Sequence, residues 1–220
     1  AAELSIDGSF SSRFPRQVHT LSVCLAGYSG RASFSDHLPT NLQRLIIHIR
    51  GDGRFRDMLE PLKRSRLYSF TTSSHCMIPL DYLACMPDTL RELSIRGETA
   101  SHSQLSALLP RQLEILELRL HRAYEGEDFL SQLPRGLRSL SMRDELRSPF
   151  CHRLEDLPPN LTSLEFHPGL VLPTALLPTL GSSLPKTLTS LTFRNTIIIE
   201  GGDLATLNAM LPHVKIRCVR

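Results

Sequence analysis

Apolar residues recur along the chain in an order that repeats about every 24 residues. Each copy opens with an apolar residue followed by proline, and Leu62-Lys63 is a copy that has lost the proline. The intact pairs are Phe14-Pro15, Leu38-Pro39, Met86-Pro87, Leu109-Pro110, Leu133-Pro134, Leu157-Pro158, Leu184-Pro185 and Leu211-Pro212. Self-similarity at this period predicts a stack of short repeats, each packed on its neighbours.

Three further apolar positions follow each pair, so that the unit reads L-P-x-x-L-x-x-L-x-L. After Leu133-Pro134, for example, they are Leu137, Leu140 and Met142. The last two alternate with polar residues, which predicts a strand with one buried face. The unit after Leu62 fits with a one-residue shift, as Leu67, Phe70 and Thr72, and the unit at Val214 is also shifted. We count about nine strands, and Leu4 and Ile6 suggest one more at the start.

Another apolar residue lies four positions before most of the proline pairs. These residues are Phe10, Phe34, Leu105, Phe129, Leu180 and Leu207. A spacing of four is one helical turn, for which Ser33, Asp128 or Asp203 could provide a cap. Proline then ends the helix. Each unit is therefore predicted to run strand, loop, short helix, proline, next strand.

The repeated unit resembles the leucine-rich-repeat superfamily, whose core is L-x-x-L-x-L. The resemblance covers nearly the whole chain, and its L-P-x-x-L-x-x-L opening is similar to the proline-containing repeats of some protist proteins and bacterial effectors. The Asn or Cys that usually follows the third leucine is missing, so the pattern does not identify a subfamily. The resemblance implies an α/β solenoid, or horseshoe, with a concave parallel β-sheet and short helices or 3₁₀ turns on the convex side.

We predict one solenoid over residues 1–220, with about nine repeats. Neither end carries the polar cap usual in terminal repeats, so we expect part of a larger protein or assembly. Apolar residues make up 41% of the chain and charged residues 21%, which favours a packed core over disorder. No apolar run approaches the roughly 20 residues of a membrane span, so we expect no membrane insertion.

The five cysteines are scattered and show no C-x-x-C spacing. They predict reduced thiols and an intracellular protein, cytoplasmic or nuclear. The sequon at Asn160 points the other way, but we place it inside a repeat strand and discount it. The formal charge of +3 is too small to argue by itself for nucleic acid.

The residues just before, between and after the last two apolar positions of each repeat should face the concave surface and form three rows along the sheet. The first two rows are mostly hydroxylic, with Glu92, Glu117 and Glu165 among them. The third is Cys24, His48, Ser73, Arg96, Arg119, Arg143, His167 and Arg194. Like charges at neighbouring positions repel. Either an anionic partner offsets this repulsion, or the three glutamates pair diagonally with the arginines and solvent screens the remaining charge.

The residues that we predict to contact a partner on the concave face are Arg44, His48, Arg96, Arg119, Arg143, His167 and Arg194. A second basic cluster in the loop and turn after the second strand contains Arg54, Arg56, Arg64 and Arg66, with acidic residues interleaved. Such a charge run is usually a solvated loop. Because loops carry function more often than the scaffold does, it is the second candidate contact.

No phosphate-binding loop, zinc-protease motif or serine-hydrolase motif is present. The pairs His75-Cys76 and Cys151-His152 lie three repeats apart, so we expect no zinc site. Because these motifs are missing, we also expect no cofactor, no catalysis and no small-molecule substrate. Three functions stay open. The favoured one is a protein–protein interaction scaffold or adaptor that binds an acidic or phosphorylated segment. The others are a component of an RNA–protein particle and a substrate-recognition arm of a ubiquitin-ligase-like enzyme.

Overall fold

The fold was analysed in a computed structural model of the chain. The structure describes residues 2–7, 17–26, 38–39, 41–50, 59–78, 80–99, 102–120, 129–143, 149–167, 171–172, 177–194, 198–199 and 204–219. These residues fall into two compact units. Unit 1 comprises Ala1–Ala100 with Leu108–Leu113, and unit 2 comprises Ser101–Ala107 with Glu114–Arg220.

Unit 1 contains five parallel strands that are neighbours in chain order. They are β1 (Ala2–Asp7), β2 (Thr20–Ala26), β3 (Arg44–Arg50), β4 (Ser69–Ile78) and β5 (Glu92–Thr99). The early strand is confirmed, because Leu4 pairs with Val23 in register. The shifted unit is confirmed too, since Phe70 pairs with Leu45 and Thr72 with Ile47.

Unit 2 contains a second set of parallel strands, β6 (Ile115–Leu120), β7 (Ser139–Arg143), β8 (Ser163–His167), β10 (Ser190–Arg194) and β12 (Lys215–Val219). They are paired in the order β6-β7-β8-β10-β12. A separate two-stranded pair joins β9 (Val171–Leu172) to β11 (Ile198–Ile199), and the sequence pattern did not predict it.

The helical segments are short, as the spacing of the apolar residues predicts. The α-helices are His102–Leu108, Leu177–Ser183 and Leu204–Met210, and the 3₁₀ helices are Glu60–Arg64, Leu80–Cys85 and Pro149–Asp156. Each α-helix in the described ranges ends two residues before a proline, which cannot continue it. The residues around Phe129 form turns rather than the expected helical turn. Phe10, Phe34 and the three proposed caps lie outside the described residues.

The proline of each unit also begins a turn that starts the next strand. In six repeats, the backbone N–H of the leucine three residues after the proline donates to the carbonyl of that proline, at 2.9–3.2 Å. These pairs are Leu42 and Pro39, Leu90 and Pro87, Leu113 and Pro110, Leu137 and Pro134, Leu161 and Pro158, and Leu188 and Pro185. Proline therefore ends one helix and fixes the entry to the next strand, because a three-residue spacing closes a β-turn.

The core of each unit is built from the repeated leucines. Leu45, Leu93, Leu116, Leu140 and Leu164 each have no more than 1% of their surface exposed. Burying a leucine stabilises the fold by about 1.5–3 kcal/mol, so the stacked positions supply most of the driving force. Within the described part of the chain, no helix is long and apolar enough to cross a membrane.

Within each compact unit, side chains at the turns also join neighbouring repeats. Thr89 Oγ1 donates to the Leu67 carbonyl at 2.8 Å, and Thr187 Oγ1 donates to the Leu161 carbonyl at 2.8 Å. The Asn160 amide donates to the Arg135 carbonyl at 3.2 Å in the same way. Asn160 lies in an exposed turn before β8, so its predicted position inside a strand was wrong. The prediction failed because the turn that begins at Pro158 delays the start of the strand to Ser163.

Candidate functional site

The residues between the buried leucines face away from the core, and we call this surface of each sheet its open face. In unit 1, the register places Cys24, His48, Ser73 and Arg96 side by side on β2 to β5. In unit 2, it places Arg119, Arg143 and His167 side by side on β6 to β8. Neighbouring parallel strands are about 4.8 Å apart, so the predicted row exists as a backbone arrangement within each unit.

Carboxylates neutralise several arginines of the open face. Arg44 Nη2 lies 2.9 Å from Glu92 Oε2, and Arg44 Nε also donates to Ser69 Oγ at 3.2 Å. Because Arg44 and Glu92 lie on strands that flank β4, this pair spans three strands. Such exposed pairs contribute about 0–1 kcal/mol each, so their effect is mainly on the charge that the surface presents.

Two further ion pairs lie on the open face of unit 2. Arg119 Nε is 2.5 Å from Glu117 Oε1 on the same strand, and Arg194 Nε donates to Glu165 Oε1 on the neighbouring strand. The hydrogen bond to Glu165 raises the pKa of Arg194, so that arginine stays charged. Only the Arg194 pair is diagonal, as we expected of all three. The Glu117 and Arg119 pair lies along one strand, and the Glu92 and Arg44 pair skips a strand.

His167 is buried rather than displayed, with 6% of its surface exposed. Its Nε2 lies 3.1 Å from Ser141 Oγ and 3.3 Å from Glu165 Oε1. Burial lowers the pKa of His167, and the charge of Arg119 lowers it further, while Glu165 acts in the opposite direction. The row therefore contains a neutral, buried imidazole at this point near neutral pH, where the sequence predicted an outward-facing contact with a partner.

The other predicted contact residues divide by what surrounds them. His48 is exposed, and its Nδ1 lies 2.6 Å from Ser73 Oγ. Arg96 is exposed on β5. Arg143 is placed by its backbone, but its side chain lies outside the described set, as do those of His75, Cys76, Cys151 and His152.

The second basic cluster is only partly described. Arg64 is the exposed last residue of the 3₁₀ helix Glu60–Arg64, in which Lys63 Nζ pairs with Glu60 Oε1 at 3.5 Å, and Arg66 is exposed just after it. Arg54 and Arg56 lie outside the described residues. In the ranges that the structure describes, no three His, Cys, Asp or Glu side chains are grouped as metal ligands would be.

Sequence reasoning missed two cations of the open face, Lys215 and Arg217. The register pairs Lys215 with Ser190 and Arg217 with Thr192 on β10, and both cations are exposed. The signal was present in the alternation of Lys215, Ile216, Arg217 and Cys218. It was overlooked because the last unit departs from the spacing of the others.

No family model matches this chain, and no curated protein matches it by sequence. In structure it is similar to TLR13, a leucine-rich-repeat protein, in the crystal structure of a TLR13–ssRNA13 complex. The TM-score is 0.55 at 17% identity, and the match covers 98% of this chain and 34% of that chain. The chain thus spans about a third of the length of that TLR13 chain.

The strand register, the short helices and this likeness define the class of protein. The fold is an α/β leucine-rich-repeat solenoid, as the repeated unit predicted. At 17% identity the likeness shows the fold alone, and function has to be argued from the residues of the open face.

Proposed function

We propose that this chain is a non-catalytic scaffold or adaptor that binds an acidic or phosphorylated segment of another protein through the open face of its sheet. The observation that carries the proposal is the arrangement of unit 2, where in-register strands bring Arg119 and Arg143 into adjacent positions. Backbone pairing fixes the spacing of these residues along the sheet, so a partner would meet a regularly spaced row of positions.

The charges on this face favour a protein over a nucleic acid. Glu117 and Glu165 lie among the cations and pair with Arg119 and Arg194. A nucleic-acid backbone carries a charge at every phosphate, so its phosphates would meet these carboxylates as well as the arginines. A protein segment carries acidic groups only at selected positions, so it can bind without placing one against Glu117 or Glu165. The ssRNA of the TLR13 complex makes RNA the obvious ligand to compare.

The test is a charge reversal on the open face. We expect Arg119→Glu with Arg143→Glu to remove a partner that co-purifies with the unaltered protein, because each charge-assisted contact contributes about a tenfold change in affinity. Arg138→Glu is the matched control, since Arg138 is exposed but lies just before β7, outside the rows. Circular dichroism establishes that the variants fold, and Arg143→Glu alone avoids disturbing the Glu117 pair.

An unchanged partner list in the double variant would contradict the proposal. RNA binding is measured in parallel at two salt concentrations. Tight binding with a steep salt dependence, lost in the same double variant, would favour the RNA–protein particle instead. The ligase-arm hypothesis predicts a catalytic domain elsewhere in the same polypeptide, which the full reading frame decides.

A further inference from the structure

The strands β10 and β12 carry a set of donors on the open face that differs from the rest of unit 2. Leu191 and Phe193 are buried in the core, so Ser190 and Thr192 between them face outward. In-register pairing places Lys215 beside Ser190 and Arg217 beside Thr192. Both cations are exposed, and they therefore share one surface with the two hydroxyl groups.

Lys215 and Arg217 differ from the neighbouring arginines in their charge compensation. Arg119 and Arg194 each contact a glutamate, through Glu117 and Glu165 respectively. Neither Lys215 nor Arg217 makes a side-chain hydrogen bond or ion pair with any residue in the described ranges. These two side chains thus present positive charge that the protein does not neutralise there.

The spacing of the four residues suits one compact anion. Alternate residues on a strand are about 6.6 Å apart and facing strands about 4.8 Å apart, so Lys215, Arg217, Ser190 and Thr192 surround a patch a few ångströms wide. The guanidinium of Arg217 supplies a planar fork of N–H donors, and Lys215 supplies a mobile point charge. A phosphoryl group offers about two negative charges and three acceptor oxygens, which matches two cations flanked by hydroxyls.

We propose that Lys215 and Arg217, with Ser190 and Thr192, form a binding site for one phosphorylated side chain of an extended peptide. The site rests on the proposed function and adds a second anion contact to that of Arg119 and Arg143, at two cations that no carboxylate in the described ranges pairs with. A peptide is favoured over RNA because Glu165, held by Arg194 on the adjoining strand, would face the next phosphate of a continuous backbone. A peptide places a single phosphoryl group at the patch and neutral residues along the carboxylates.

The experiment uses fluorescence anisotropy with defined probes. The first probe is a labelled pool of nine-residue peptides with phosphoserine fixed at the centre and random flanks. Matched pools carry serine or glutamate at the centre, and a labelled oligo-uridine represents RNA. The unaltered protein should bind the phosphoserine pool at least about tenfold more tightly than the serine pool, with the glutamate pool between them.

The variant K215Q/R217Q should weaken binding of the phosphoserine pool at least about tenfold and leave the serine pool unchanged. Lys186→Gln is the control, because Lys186 is an exposed lysine of the same unit that lies in the turn before β10. Its affinity for the phosphoserine pool should stay within about twofold of the unaltered protein. Circular dichroism confirms that the variants fold.

Three results would overturn this assignment. They are equal affinity for the phosphoserine and serine pools, full affinity of K215Q/R217Q for the phosphoserine pool, or tighter binding of oligo-uridine that is lost in the same variant. If the site fails while partner capture still requires Arg119 and Arg143, the proposed function stands and only this site is wrong. If capture ignores Arg119 and Arg143, the proposed function fails whatever the peptide pools show.

Discussion

His167 Nε2 lies 3.3 Å from Glu165 Oε1, the oxygen that also accepts the hydrogen bond from Arg194. One carboxylate oxygen therefore serves a buried imidazole and an exposed guanidinium. Burial and the charge of Arg119 lower the pKa of His167, while Glu165 raises it. We predict that Glu165→Gln lowers the pKa of His167 further and that Arg119→Gln raises it. Titration by histidine NMR measures both, and shifts in the opposite directions would contradict the geometry.

The same histidine should make the stability of the fold depend on pH. Its pKa in the folded state lies below the ordinary value of 6.5, so the unfolded chain binds the proton first as the pH falls. Stability should therefore be complete above pH 6.5 and decrease as the pH drops through 6.5 toward the lowered pKa. Urea denaturation between pH 8 and pH 5 measures this dependence.

His167→Asn should reduce that pH dependence because it removes the titrating group. His213→Asn is the matched control, since His213 is exposed in the turn before β12. The control should retain the full dependence. An equal loss of pH dependence in both variants would show that His167 is not responsible.

Thr72 occupies a core position that isoleucine fills on the two neighbouring strands, as Ile47 and Ile95. It is 1% exposed, and its Oγ1 has no hydrogen-bond partner among the described residues. A buried hydroxyl without a partner costs about 1–3 kcal/mol, so Thr72→Val should stabilise the fold by about that amount. Denaturant unfolding measures the gain. Thr71→Val, on the half-buried outward side of β4, should change stability little, and a destabilised Thr72→Val would contradict the account.

Gly97 has a φ of 145°, a conformation that side chains of L-residues rarely adopt. It lies on β5 where the pairing with β4 shifts between Ser73 and Met77. We predict that Gly97→Ala destabilises the fold by about 1–3 kcal/mol. Gly181→Ala is the control, because a methyl group there would lie 3.5 Å from the Met210 carbonyl oxygen, an ordinary contact. The control should be neutral or stabilising, and equal losses would argue against backbone strain.

The fold followed from the sequence because its physics is local and repeated. Each strand shows its buried face through alternation, and the repeated prolines mark the turns that lead into the next strands. The shifted copy at Phe70 was recognised because Leu67, Phe70 and Thr72 keep the spacing of the other repeats, and Phe70 pairs with Leu45 in register. The two-stranded pair of β9 and β11 was missed because two-residue strands leave no periodic pattern.

The site was predicted less completely, because charge depends on neighbours that spacing does not reveal. The row positions were placed correctly within each unit. The burial of His167 and the link between Arg44 and Glu92 across three strands require side-chain geometry. Lys215 and Arg217 escaped notice because the last unit was set aside as irregular.

Lysine-directed cross-linking of the purified protein with its co-purified partner tests the central claim most directly. The chain has three lysines, of which Lys215 is on the open face, while Lys63 lies within a 3₁₀ helix and Lys186 lies in a turn. Binding through the open face predicts cross-links from the partner to Lys215, with protection of Lys215 from acetylation in the complex. Cross-links confined to Lys63 and Lys186, with Lys215 fully reactive, would contradict it.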